Sequence, residues 1–356
     1  MNTDAISSLL GALPLPAVLI GRGERVLGAN ALAGKLLGDG LVGRHFITAL
    51  RQPAILDAIE GSLRDRIKRK TRYLSNDASQ DTAFDVTCSP VQTDAGQGVL
   101  VCFEDVTHLE QARQMRRDFV ANVSHELRSP LTSLLGFIET LQGPALGDKD
   151  TTARFLEIMT GEATRMERLV RDLLSLSRVE EQMRVRPTDR VNLSDIIVTV
   201  MHALKTVAED QNVSVVTDLP ETPIIVPGDG DQLQQVVTNL LENAIKYGGR
   251  DKKVFLQISI TDQDPTLRGP AAMITVEDQG PGIDQVHIPR LTERFYRVDN
   301  HRSREVGGTG LGLAIVKHII GRHRGRLRIE SALGEGAKFR VVLPTESHDL
   351  TRSTSP

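Results

Sequence analysis

The sequence predicts a multidomain chain with three parts in series: a small α+β domain, a helical hairpin, and an α/β sandwich. Length is the first observation behind this, because 356 residues exceed the roughly 100 to 200 that one core usually organises. The second is a pair of long runs in the middle of the chain whose apolar residues recur three and four apart. The third is the pattern beyond Pro187, where helical periodicity alternates with short strand-like apolar runs.

Residues 1–105 combine apolar runs at 17–20 and 99–103 with Gly-rich turns and a few helical stretches, which reads as the α+β domain. From Val106 a helix begins, with a heptad seam through Val120, Val123, Leu127, Leu131, Leu134, Ile138 and Leu141. Gly143, Pro144 and Gly147 break it, and a second stripe runs through Met159, Ala163, Met166, Val170 and Leu173. This hairpin, residues 106–185, cannot bury both seams alone. Two copies are therefore expected to pair as a four-helix bundle in a homodimer. The third domain, 186–346, has expected helices at 194–209, 232–246 and 311–322, with strands at 254–260, 272–277, 327–330 and 339–343. The polar tail, 347–356, is expected to be disordered.

Bulk properties narrow the function classes. The 43 basic and 46 acidic residues leave a net charge of -3, which argues against a nucleic-acid footprint or a polybasic membrane surface. The basic cluster Arg322, His323, Arg324 and Arg328 lacks interleaved aromatic residues and reads as a solvated helix end and strand. The apolar run at 13–20 contains Pro14 and Pro16 and is far shorter than the roughly 20 residues of a spanning helix. No basic residue precedes it, so neither a membrane span nor a secretory signal is expected, and a cytoplasmic location is. Cys88 and Cys102 have no metal-ligand spacing and are expected to be buried, reduced thiols.

Candidate chemistry starts at Ser124-His125-Glu126-Leu127-Arg128-Ser129-Pro130. At about 100° per residue, His125 lies roughly 160° from the seam residue Leu127, and Ser129 falls beside it one turn on. Both should face solvent, where a neutral imidazole nitrogen can attack phosphorus. Glu126 is placed to orient or deprotonate the ring. Pro130 removes the amide that would bond the carbonyl of Glu126, so a bend is expected beside the histidine. Taken alone, such a histidine is simply a solvated side chain.

Three further motifs change that balance. Asn239, Asn243 and Lys246 fall on one flank of a helix whose apolar side is Leu233, Val236, Val237, Leu240 and Ala244. Amide oxygens suit Mg²⁺, and lysine offers a point charge to phosphate. Asp278, followed by Gly280 and Gly282, shares a sheet face with Ile274 and Val276 at a strand end, where a carboxylate can accept from an adenine amine. The glycines allow close backbone approach. Last comes Gly307-Gly308-Thr309-Gly310-Leu311-Gly312-Leu313, whose amides at a helix start suit phosphate, although no Gly-Lys-Ser/Thr follows as in a P-loop.

In this order and spacing, the four motifs resemble those of the sensor histidine kinases of two-component systems, over about residues 110–345. The resemblance implies ATP and Mg²⁺ as cofactors, His125 as phosphoacceptor and Glu126 as its general base. It implies Asn243 as the Mg²⁺ ligand with Asn239 assisting, Asp278 as the adenine contact, and Lys246 and Tyr247 framing the nucleotide. Gly280, Gly282, Gly308, Gly310 and Gly312 belong to the implied nucleotide site, and Arg297, within Glu293-Arg294-Phe295-Tyr296-Arg297, would touch phosphate. Residues 283–308 would form a mobile lid. Ser129 stands where threonine or asparagine is commoner in members that also dephosphorylate their partner; its hydroxyl keeps that activity open.

The implied partner is a response regulator receiver domain acting in trans, since no receiver is visible in the chain. Residues 119–141 look closest to the phosphate-regulon type, whose members usually carry membrane helices. The first domain resembles a PAS domain, on the Asn30 turn and the run Glu104-Asp105-Val106-Thr107, with an unknown ligand or signal. Two rivals stand beside this reading. The Asn and Asp motifs recur in chaperone, topoisomerase and mismatch-repair ATPases, which lack a histidine on a preceding hairpin. The chain can also be read as a binding module that mainly sequesters or dephosphorylates its partner.

Overall fold

The computed structural model describes residues 3–77, 80–93, 96–143, 148–298 and 308–345. It divides into two compact units, Met1–Ala121 and Asn122–Pro356.

The first unit is built on a five-stranded antiparallel sheet of β1 (Ala17–Gly21), β2 (Val26–Ala29), β3 (Arg69–Asp77), β4 (Gln80–Thr93) and β5 (Gly96–Asp105) in the order β2-β1-β5-β4-β3. Helices α1 (Thr3–Gly11), α2 (Ala31–Leu37), α3 (Phe46–Ala49) and α4 (Pro53–Asp65) complete it. The continuous apolar run in β1 has a physical reason, because both faces are covered. Val18 and Ile20 join Phe46, Ile55, Ile59 and Phe103 in the main core, while Ala17 and Leu19 pack with Ile6 and Leu10. Asn30 locks the α2 end of this arrangement: its Oδ1 accepts from the amides of Ala17 (3.1 Å) and Ala33 (2.9 Å), and its Nδ2 donates to Leu10 O and Leu15 O. Cys88 is buried on β4, and burial pushes its thiol up to about 12; Cys102 on β5 is only half-buried, since it faces the smaller cluster.

A single helix, α5 (Thr107–Gln142), starts where Asp105 Oδ1 accepts from the amide and hydroxyl of Thr107, and the boundary between the units falls within it. Pro130 does not end it. Asp148 caps α6 (Lys149–Glu181) by accepting from the amides of Asp150 and Thr151, and Phe137 meets Phe155 across the hairpin with ring centroids 5.0 Å apart. Of the sequence breakers between the helices, Pro144 and Gly147 lie outside the described residues, as does the tail.

The rest of the second unit is a two-layer sandwich. Strands β7 (Ser214–Asp218), β9 (Lys253–Asp264), β10 (Gly269–Asp278), β11 (Arg326–Ser331) and β12 (Ala337–Pro344) form a sheet in the order β11-β12-β10-β9-β7, and β6 (Asp189–Asn192) pairs with β8 (Ile225–Gly228) separately. Helices α7 (Leu193–Asp210), α8 (Gly230–Tyr247) and α9 (Gly312–Arg322) cover one face, with α8 between the other two and against β9 and β10. Alternation along β9 and β10 sends Val254, Leu256, Ile258, Ala272, Ile274 and Val276 into that core. The expected helices and the four expected strands are all present; β6, β7 and β8 were not legible. No described helix is long and apolar enough to cross a membrane.

Candidate active site

A cleft of about 1090 Å³ opens where α8, the end of β10 and the turn before α9 meet one side of α6. Its position follows from local chemistry. Asp229 caps α8, accepting from the amide of Gln232 at 3.1 Å, and the helix then buries Leu233, Val236, Val237, Leu240 and Ala244. The opposite flank is thereby turned to the cleft, and it carries Asn239, Glu242, Asn243, Lys246 and Tyr247. Lys246 Nζ donates to Glu242 Oε2 at 2.8 Å, and Asn239 Nδ2 reaches Gly312 O at 3.4 Å.

Asp278 ends β10 with its side chain in the cleft and 6% of the residue exposed. Burial pushes its carboxyl above the ordinary range, against the opposing effect of the Gly280 and Ala337 amides, which donate to Oδ1 at 2.8 and 3.3 Å. Gly280 itself does not line the cleft; its amide supports the Asp278 carboxylate. Gly282 does line it, with φ of 73°, and a Cβ there would run into the carbonyl of Ala332.

Gly308, Thr309, Gly310 and Gly312 line the far end, next to Tyr296 and Arg297. Gly310 has φ of 73°, and a Cβ there would lie 2.9 Å from Phe295 Cα, so the two segments touch backbone to backbone. Phe295 N donates to Gly310 O at 2.8 Å, and the Arg297 guanidinium donates to Gly308 O. Gly307 and residues 299–307 of the expected lid lie outside the described residues.

His125, Glu126 and Ser129 are not among the cleft-lining residues. His125 is solvent-exposed on α5, as its helical phase predicts, and the Ser129 hydroxyl donates to His125 O at 3.3 Å. Glu126 Oε2 is engaged by arginines, Arg165 at 3.1 Å and Arg297 at 3.7 Å.

The hairpin contributes residues that sequence reading missed. Asp172 on α6 accepts from the Thr309 hydroxyl at 2.7 Å, Ser175 Oγ donates to Gln235 at 2.8 Å, and Glu180 pairs with Arg294. Burial raises the Asp172 carboxyl above its usual range, with the nearby Glu242 adding to that and Thr309 and Arg168 opposing it. A lone carboxylate inside the apolar run of Leu169, Val170, Leu173 and Leu174 was the available signal.

The reading of the basic cluster as solvent-facing is overturned at two positions. Arg322 and His323 are buried, not a solvated helix end. Arg322 donates to Val185 O and Asp229 Oδ2, while His323 Nε2 accepts from the Asp229 amide at 3.0 Å and Nδ1 donates to Ile319 O at 2.8 Å. Both anchor the start of α8.

The donor set fits a magnesium nucleotide. Asn239 and Asn243 offer hard amide oxygens, Lys246 and Arg297 positive charge, and the turn before α9 glycine-rich backbone, in one cleft with the buried Asp278 carboxylate. Among the described residues no three His, Cys, Asp or Glu side chains converge, so Mg²⁺ here would rely on amide and phosphate oxygens.

Comparisons with known proteins agree with this chemistry. Residues 115–182 match the His Kinase A (phospho-acceptor) domain, and residues 228–347 match the histidine kinase-, DNA gyrase B- and HSP90-like ATPase family. The chain is 33% identical over 337 residues to a sensor protein kinase WalK of Staphylococcus aureus, covering 91% of this chain and 77% of that protein. Against the WalK of S. aureus strain USA300 the identity is again 33%, and the match covers 91% of this chain but 52% of that protein, about half its length. The fold is that of the histidine kinase ThkA, solved in complex with the response regulator protein TrrA, at a TM-score of 0.53 and 22% identity over 96% of this chain and 98% of that one. With His125 on a matched phospho-acceptor hairpin and the Asn, Asp and Gly motifs gathered at one cleft, the chain belongs to the sensor histidine kinase family of two-component systems.

Proposed function

We propose that this chain phosphorylates its own His125 from ATP and passes the phosphoryl group to an aspartate of a response regulator receiver domain in trans. The single observation that carries the reading is the convergence of Asn239, Asn243, Lys246, Asp278, Arg297 and the Gly308–Gly312 turn on one cleft, in a chain that presents His125 to solvent. Asp278 accepts from the adenine amine, and Tyr247 and Lys246 frame the nucleotide. Asn243, with Asn239 assisting, would hold Mg²⁺, which would supply charge neutralisation at the phosphates. Arg297 and the amides before α9 stabilise charge on the transferred group.

His125 supplies a ring nitrogen as nucleophile. Arg165 and Arg297 hold Glu126 through Oε2, so turning that oxygen to the ring, to orient or deprotonate it, competes with these ion pairs. Ser129 sits one turn from His125 with a hydroxyl able to orient water, which supports a phosphatase activity toward the regulator. The β2-β1-β5-β4-β3 antiparallel order and the Asp105–Thr107 start of α5 support a PAS-type sensory domain in the first unit.

The test is incubation of the protein and its His125→Gln variant with radiolabelled ATP and Mg²⁺, followed by acid and alkali treatment. Acid-labile, alkali-stable label on the parent and none on the variant is expected. Hydrolysis without retained label in both proteins would move the ATPase reading ahead.

A further inference from the structure

His287 does not line the cleft, yet its ring Nδ1 lies 2.7 Å from the hydroxyl of Tyr296, which does. Arg290 stacks over the face of the Tyr296 ring, its Cζ 4.2 Å from the centroid, and is held by Glu293 at 3.3 Å. Tyr296 is therefore gripped at its tip and across its face. The residue before it, Phe295, has a left-handed φ of 63°, a conformation that costs a non-glycine residue free energy and needs outside support. The residue after it is Arg297, whose side chain is only 7% exposed. Any slip of Tyr296 moves the backbone from which Arg297 projects.

We propose that His287 is a positioning residue for phosphoryl transfer, holding Tyr296 so that the Arg297 guanidinium meets the transferred group. This rests on the reading of Arg297 as the phosphate contact. The geometry assigns the His287–Tyr296 pair a role in transfer rather than in nucleotide capture, because the adenine contact, Asp278, is supported independently by Gly280 and Ala337. Charge that arrives misplaced by a fraction of an ångström loses rate more than affinity.

The experiment is a kinetic set on the full chain: His287→Ala, His287→Asn, Tyr296→Phe, Arg297→Ala and His287→Ala with Arg297→Ala. We expect His287→Ala and Tyr296→Phe each to lower kcat for His125 phosphorylation about tenfold with KM for ATP changed less than about twofold. His287→Asn, whose amide can reach the Tyr296 hydroxyl, should recover most of the rate. In the Arg297→Ala background His287→Ala should add nothing. Equal losses from His287→Ala with and without Arg297, or parent-like rates in both His287→Ala and Tyr296→Phe, overturn the proposal. If Arg297→Ala is itself parent-like, the phosphate role of Arg297 is what fails. Should His287→Ala not fold, Tyr296→Phe, which removes one hydroxyl only, decides the question.

Discussion

Asp278 carries two opposed demands in one carboxylate. Its buried position favours the neutral acid, whereas the Gly280 and Ala337 amides that donate to Oδ1 favour the anion. The linkage has a definite sign. A carboxyl whose folded pKa lies above its unfolded value, about 3.9, costs stability in full above the folded pKa. The cost falls away as pH drops through that window. Asp278→Asn keeps an oxygen for Gly280 and Ala337, so it should raise the thermal midpoint at neutral pH, with the gain disappearing in acid. The same change should weaken ATP binding by about tenfold, through loss of a charge-assisted hydrogen bond. Thermal melts across pH and nucleotide titration read the two effects separately.

At the scale of elements, α8 is the strut on which half of the cleft hangs, and Asp229 is where it is fastened. Its carboxylate caps the helix and accepts from buried Arg322, while its amide donates to buried His323. Asp229→Ala should cost about 1 to 2 kcal/mol in urea unfolding from the lost cap alone, with a further cost from the stranded Arg322. Burial lowers the His323 pKa, and its two ring contacts require the neutral tautomer with the proton on Nδ1. The elements legible in the sequence were those with one clearly apolar face, such as α8 and β10. Strand β7 was missed because most of its side chains are exposed, and its place comes from parallel pairing with β9.

Across the whole molecule, the hairpin leaves apolar surface that a single chain does not cover. Leu131, Leu135, Ile138, Leu156 and Val170 are all exposed. Exposed stripes of this kind on two antiparallel helices are what a four-helix bundle buries. Sedimentation equilibrium should therefore give twice the chain mass, and Leu131→Lys with Ile138→Lys should give the single-chain mass. A concentration-independent single-chain mass for the parent protein would remove the bundle from this account.

What the sequence determined by itself was the helical phase of His125, the apolar faces of the hairpin and sandwich helices, and the residue types of the nucleotide motifs, because period and local chemistry are written in neighbouring residues. Only the tertiary structure decided which distant groups meet. Asp172 and Thr309 are 137 positions apart, and Glu126 and Arg165 are 39 apart. The burial of Arg322 and His323 against Asp229 belongs to the same class. A surface charge and a buried, partnered one are the same letter in a sequence. What separates them is the packing of elements that the chain brings together only when it folds.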